Sequence, residues 1–295
     1  MRKTVFLLLA LTASQLLGAQ ALPLLYTPTD PRSAALGGTG VALDADAWAE
    51  DVNLAAAALA PQTFAIGAAY TRWAPKPAAD NRFSAGGWYR HNSWAVGFTA
   101  KGAYAPAYNR VSPQGETKTP FQPRDLGVSA GLAWSPLPGF ALSVDARLVS
   151  SVLDEGVSGN TFCATVGLAY NSRHFQAGLT AGNLGGKLMY GNSSASLPLL
   201  IRGGGAYVHD FFTVTAEVDY LDQAGVMACA GAEFRPTGFI ALRAGYHYGP
   251  ADRGMPSFGS CGIGVAFEGL AIDVSVLFAS PTLGGSLCAG LSYAF

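Results

Sequence analysis

The chain has 295 residues, of which 50% are hydrophobic and only 13% charged, about half the charged share of an ordinary soluble protein. A formal charge of −1 excludes a basic nucleic-acid binder. No stretch beyond the first residues has the roughly 18 unbroken apolar positions that a spanning helix needs, so the apolar surface must be hidden in some other way. A closed barrel does this, because every backbone group is satisfied between neighbouring strands and no edge is left open.

In chain order, residues 1–21 read as a cleaved signal peptide. Arg2 and Lys3 supply the positive start, Thr4 to Leu17 the apolar run, and Ala19-Gln20-Ala21 a small-x-small cleavage site. Residues 22–61 lack strand alternation. Pro23, Pro28 and Pro31 stiffen the entry, Gly37-Gly38-Thr39-Gly40 reads as a turn, and 44–60 is Ala-rich with helical propensity. Its place ahead of the barrel suits a plug in the lumen, with a periplasmic tail as the alternative.

Residues 62–295 read as an all-β transmembrane antiparallel barrel of about 14 strands, each near the ten-residue length of a barrel strand. The expected strands are 62–73, 81–91, 93–102, 124–134, 139–152, 160–171, 173–182, 198–208, 211–221, 225–235, 238–248, 257–267, 270–279 and 284–295. Successive side chains on a strand point to opposite faces, so alternation reveals which face is apolar. In 211–221, Phe212, Val214, Ala216, Val218 and Tyr220 alternate with Thr213, Thr215, Glu217 and Asp219. The last strand alternates Leu287, Ala289, Leu291, Tyr293 and Phe295 with small residues and stops on an aromatic. Alternate connections are tight (His91-Asn92, Asn171-Ser172, His209-Asp210, Glu268-Gly269), whereas 74–80, 103–123, 153–159, 183–197 and 249–256 read as longer loops. Short periplasmic turns and longer external loops are the usual asymmetry of outer-membrane barrels. An even strand count leaves both ends periplasmic. The expected location is the outer membrane of a Gram-negative cell, with its lipids as immediate partners.

Few motifs carry chemistry. Gly37-Gly38-Thr39-Gly40 lacks the preceding strand and the third glycine of a dinucleotide fingerprint, and 183–187 lacks the first glycine of a phosphate loop. His91, His174, His209 and His247 have no metal-ligand spacing. Cys163, Cys229, Cys261 and Cys288 are scattered, the first, second and fourth on the inner parity. The expectation is therefore no enzyme, no cofactor and no metal. Asp145, Arg147, Arg202, Glu217, Asp219, Glu233, Arg243 and Asp273 all fall on the inner parity. They either pair to hold the barrel and its plug or line a solute path, and pairing is favoured because buried charges need partners.

Ala34 to Ala42, Asp46-Ala47-Trp48-Ala49 and Asn53-Leu54-Ala55-Ala56 resemble the N-terminal signature of the PorV/PorQ family, within the larger class of FadL-like outer-membrane proteins. Leu54 stands where that family usually has proline. The stretches 182–187 and 241–246 fit the same pattern. The resemblance implies a fourteen-stranded barrel whose plug motif comprises Gly37, Gly38, Gly40, Asp46, Trp48 and Asn53. It implies a Bacteroidetes-type bacterium and a role in type IX secretion or surface-protein assembly, with secretion components or cargo C-terminal domains as partners. The alternative is a FadL-like transporter of long-chain fatty acids or other hydrophobic solutes, with an apolar ligand. The resemblance also makes Tyr293 and Phe295 a C-terminal signal for the barrel assembly machinery.

Overall fold

The computed structural model describes residues 22–74, 78–110, 117, 119–191, 193–222, 224–250 and 254–295. The leader expected at 1–21 lies outside the described residues. The strands are β1 (Phe64–Trp73), β2 (Asp80–His91), β3 (Trp94–Tyr104), β4 (Arg124–Leu137), β5 (Phe140–Asp154), β6 (Val157–Asn171), β7 (Phe175–Leu184), β8 (Lys187–Tyr190) and β9 (Ser193–Ser196). They continue as β10 (Leu200–Val208), β11 (Phe212–Leu221), β12 (Gly225–Thr237), β13 (Ile240–Tyr248), β14 (Phe258–Phe267), β15 (Leu270–Phe278) and β16 (Leu287–Ala294). All except β8 and β9 form one closed antiparallel barrel in sequence order, sealed by β1 against β16 with Ala65 opposite Ala294. The fourteen-strand barrel read from the sequence is thus the fold. The Phe295 carbonyl accepts from Thr63 and Phe64 N–H at 2.7 and 2.9 Å, which ties the last residue to the start of β1.

The alternation works as expected. Phe212, Val214, Val218 and Tyr220 are exposed on the outer face, while Thr213, Thr215, Glu217 and Asp219 are buried inside. Cys261 is exposed; Cys163, Cys229 and Cys288 are buried and unpaired. Tyr293 and Phe295 point outward, Phe295 with 75% of its surface free. Trp94 and Trp134 stack at 5.6 Å at the short-turn end, where rings with one wet edge suit a membrane interface.

Two loops differ from the sequence reading. The stretch 153–159 is mostly strand, since β5 and β6 run on to a tight Glu155-Gly156 turn. Past the lipid no alternation is demanded, so the pattern that marks a strand fades there. The stretch 183–197 contains the hairpin β8–β9, which folds over β6 with Leu188 fully buried. Between β6 and β7, Gly182 and Asn183 stand opposite Thr165 alone, a bulge that interrupts the ladder. Asn183, at φ 60°, donates to the Pro198 carbonyl at 3.0 Å and pins it.

Residues 22–60 lie inside the barrel. After a single turn at Pro23–Leu25 come three short helices, α1 (Pro31–Ala35), α2 (Ala49–Val52) and α3 (Ala55–Leu59). Leu22 and Leu25 pack with Val149, Cys163, Leu188 and Leu197 toward the long-loop end, whereas Trp88 Nε1 donates to the Asp46 carbonyl at 2.7 Å in the other half. The wall admits the segment because much of its inner face is glycine. Gly67 lies opposite Gly86, Gly97 opposite Gly131, Gly178 opposite Gly204 and Gly231 opposite Gly245. A Cβ on Gly178 would overlap the Val41 carbonyl, and one on Gly245 would overlap the backbone of Leu36 and Gly37.

Candidate functional site

The lumen is the candidate site, and its chemistry begins with the Gly-rich turn. Asp30 caps α1 by accepting from Ser33 N–H at 2.7 Å. At its end Gly37 and Gly38 adopt φ 75° and 93°, a conformation costly for residues with a Cβ. The turn presents the Gly40 and Val41 N–H groups side by side, and both donate to Glu217 Oε2 at 2.8 and 2.9 Å. Consecutive N–H groups of this kind form an anion-binding nest, here filled by a carboxylate of the wall. Arg202 completes the link, donating to Glu217 Oε1 at 2.6 Å and to the Gly38 carbonyl at 2.9 Å, with Asp219 at 3.7 Å. Ser260 Oγ bridges α1, accepting from Gly37 N–H at 3.0 Å and donating to the Ala35 carbonyl at 2.9 Å.

The other motif residues also anchor the segment. Trp48 is buried and donates from Nε1 to Ser84 Oγ at 2.9 Å. Asp46 Oδ1 accepts from Trp48 N–H at 2.9 Å. Asn53 Nδ2 donates to the Val41 carbonyl at 2.8 Å and to the Leu168 carbonyl of β6 at 2.9 Å. Leu54, at the position of the missing proline, starts α3 and is buried.

Besides Arg82, which donates to Thr27 Oγ1 at 2.6 Å and lies 3.5 Å from Asp80, three groups of inward charges face the segment. Near the middle of the wall, Asp51 of α2 meets Lys101 Nζ at 2.6 Å and Arg147 Nη2 at 2.7 Å, and also accepts from Thr29 Oγ1 at 2.8 Å. Burial pushes the Asp51 carboxyl upward, but Lys101 and Arg147 outweigh it and hold it well below the usual carboxylate range. Glu50 accepts from Ser129 Oγ at 2.7 Å. Asp145 is buried on β5 with no ion pair within 4 Å among the described residues. The second group is the Arg202, Glu217 and Asp219 cluster. In the third, at the short-turn end, Arg243 Nε donates to Glu233 Oε2 at 2.6 Å and Nη1 to Asp273, while Arg32 of α1 approaches Glu233 at 3.4 Å.

The motif residues and most of the inward charges singled out from the sequence therefore gather around one inner segment, although no single centre unites them, while Tyr293 and Phe295 stay on the outer face. Sequence reasoning missed Glu50, Asp51, Arg32 and Lys101. Lys101 shares the inner parity of Thr99 on its strand, which was the available signal. The acids of α2 sit in an Ala-rich stretch with no strand frame to assign a face. Glu217, Asp219 and Cys229 offer ligand atoms within 4.8 Å of one another, but Arg202 already supplies the cation there.

Burial, with Asp46 nearby, raises the Asp30 carboxyl to about 7. Its neutral form suits the folded state, so its favourable contribution is complete below the unfolded pKa of about 3.9 and is lost as pH rises toward the folded value. Asp30→Asn keeps a helix cap without the buried charge. The variant should melt a few degrees above the parent near pH 8 and together with it near pH 4, as followed by thermal unfolding in detergent (a ~1 kcal/mol gain being about 2–4 °C).

Among the described residues the lumen keeps a void of about 10 Å³ between the inner segment and β6–β7 and three larger ones. One of about 50 Å³ lies in the long-loop half, bordered by Leu25, Asp51, Lys101, Arg147, Arg202 and the bulge residues Gly182 and Asn183. One of about 20 Å³ lies wholly within the inner segment. A vestibule of about 320 Å³ opens at the short-turn end beneath Arg32, Glu233 and Arg243. The first is far below the roughly 300 Å³ at which pockets for drug-sized ligands begin. Beside it, beneath β8–β9, lies an apolar group in which Leu22, Leu25, Val149, Cys163, Leu188 and Leu197 pack together with Tyr190 against them.

No family model matches the chain, and no curated protein sequence matches it. Solved structures do share its fold. The toluene transporter TbuX of Ralstonia pickettii is 16% identical, with 92% of this chain and 98% of that one covered, at a TM-score of 0.65. The monoaromatic hydrocarbon channel CymD is 14% identical, with 91% and 97% covered, at 0.67. A FadL homologue of Pseudomonas aeruginosa is 10% identical, with 91% and 96% covered, at 0.58. The chain is thus similar over nearly its whole length to FadL-type barrels.

Proposed function

We propose that this protein is a passage for small hydrophobic solutes across the outer membrane of a Gram-negative bacterium. The observation that carries the reading is the shared fold, matched nearly end to end with proteins described as a toluene transporter and a monoaromatic hydrocarbon channel. A barrel closed by lipid-facing strands around an inner segment is suited to such a task, and no enzymatic step is needed for it. The apolar group beneath β8–β9 is the natural point of capture, since it adjoins the upper void through Leu25. The solute must displace packed side chains, because the void itself is too small to hold it.

Uptake of radiolabelled toluene and of a long-chain fatty acid, in cells with and without the protein, tests the reading. Leu188→Asp places a charge in the capture group and should lower uptake about tenfold, the scale of a 1.4 kcal/mol penalty, with the amount of folded barrel unchanged. Equal uptake with and without the protein would remove the proposal.

The secretion reading, with PorV/PorQ-like partners in a Bacteroidetes-type cell, is supported by the motif resemblance in 34–56. Those same residues are bonded to the barrel wall, which gives the motif a local use without cargo. Cross-linking in cells that captures secretion components or cargo C-terminal domains would favour it over transport.

A further inference from the structure

The three larger voids adjoin through shared lining residues. The upper void and the one inside the segment meet at Ser33 and Val52, and the inner void meets the vestibule at Asp44, Ala45 and Asp46. Since a water molecule needs roughly 10–15 Å³ of such space, the inner void of about 20 Å³ has room for one water and the upper void of about 50 Å³ for several. We propose that they form an axial polar passage for water and small cations, distinct from any route for apolar solutes and closed at a neck between Val52 and Gly40.

The neck is visible from both sides. A Cβ on Gly40 would stand 2.8 Å from Val52 Cγ1 and 3.1 Å from Ser33 Oγ, so one methyl group spans the opening. Below it, the charged side chains bordering the inner void are Asp44 and Asp46, both carboxylates. Asp44 is held by Gln176 Nε2 and Asp46 by Trp48 N–H, so their oxygens are fixed in place. A constriction bordered by fixed carboxylates favours cations over anions. Arg32 spans the lower exit, donating to the Asp44 carbonyl at 3.2 Å and lying 3.9 Å from Asp46. A hydrocarbon cannot follow this line, because it would have to desolvate ion pairs at each end.

The test is conductance of the purified full-length protein in planar bilayers with potassium chloride. Val52 is the last residue of α2 and only half-buried, so Val52→Gly carries the ordinary helix cost of glycine and should lower thermal unfolding by only a few degrees. It should raise conductance at least about tenfold and move the reversal potential in a salt gradient toward that of potassium. Adding Gly40→Ala to it returns a methyl group to the neck and should close the passage again. Adding Asp44→Asn and Asp46→Asn instead should keep the conductance and abolish the preference for potassium. A folded Val52→Gly protein that conducts no more than the parent would overturn the proposal. So would conductance indifferent to Gly40→Ala, or selectivity indifferent to the two carboxylates. Toluene uptake is read separately, so either proposal can fail while the other stands.

Discussion

Gly245→Val should unseat the inner segment. The new side chain would fall on the backbone of Leu36 and Gly37, where neither partner is the free end of a flexible side chain. Gly178→Val should do the same at the Val41 carbonyl, on the other side of the lumen. Either change breaks several anchors together, because the Glu217 nest, Ser260 and Arg202 all depend on the position of the 36–41 turn. A loss above about 4 kcal/mol is expected, the range reserved for severe steric lesions. Limited proteolysis should then cut within 22–61 while the strands stay protected, and heat resistance in detergent should fall. Gly205→Val is the control: its Cβ would meet the Gln176 carbonyl at 3.6 Å, an ordinary contact on the lipid side. A Gly245→Val protein as protected as the parent would show that the wall yields where the close fit says it cannot.

Asp51→Asn should be nearly as damaging for an electrostatic reason. Asp51 joins two buried cations, Lys101 and Arg147, whose side chains are only 2% and 5% exposed. Removing the charge leaves both without their carboxylate, and breaking a buried pair in this way costs about 3–5 kcal/mol. Lys101→Met in the same protein should recover part of the loss, which a double-mutant cycle of melting temperatures would measure. The pH dependence has a definite sign. The folded pKa of Asp51 is depressed, so its contribution is present above the unfolded value of about 3.9 and is lost as pH falls toward the folded value. Between pH 5 and 2, roughly, the parent should therefore lose more stability than Asp51→Asn.

The barrel was legible because lipid imposes a two-residue period that nothing else in the chain obscures. Each of the fourteen wall strands was read within a few residues, and the two misread loops share a cause. The outer ends of β5 and β6 and the hairpin β8–β9 lie beyond the apolar band, where a strand has no need to alternate. Within the lumen, parity placed Arg147, Glu217 and Glu233 on the inner face. It could not say that Glu217 fills a backbone nest or that Arg147 shares Asp51 with Lys101. Those pairings join positions far apart in the chain, and the Ala-rich stretch that supplies Glu50 and Asp51 has no period to orient it. The PorV/PorQ resemblance likewise drew on local motifs, whereas the likeness to the hydrocarbon-channel barrels is one of whole architecture at 14–16% identity.

The seam between β1 and β16 has a consequence for how the molecule is made. Residues 61–63 alone separate the inner segment from β1, the strand that must find the last strand of the chain to close the ring. Leu36 lies against Gly245 and Val41 against Gly178 too closely for the segment to be threaded into a finished ring afterwards. The wall must therefore be cast around the segment, with its glycines taking the impression. Contacts this distant in sequence form slowly, and the seam, with Ala65 opposite Ala294, joins the two ends of the wall.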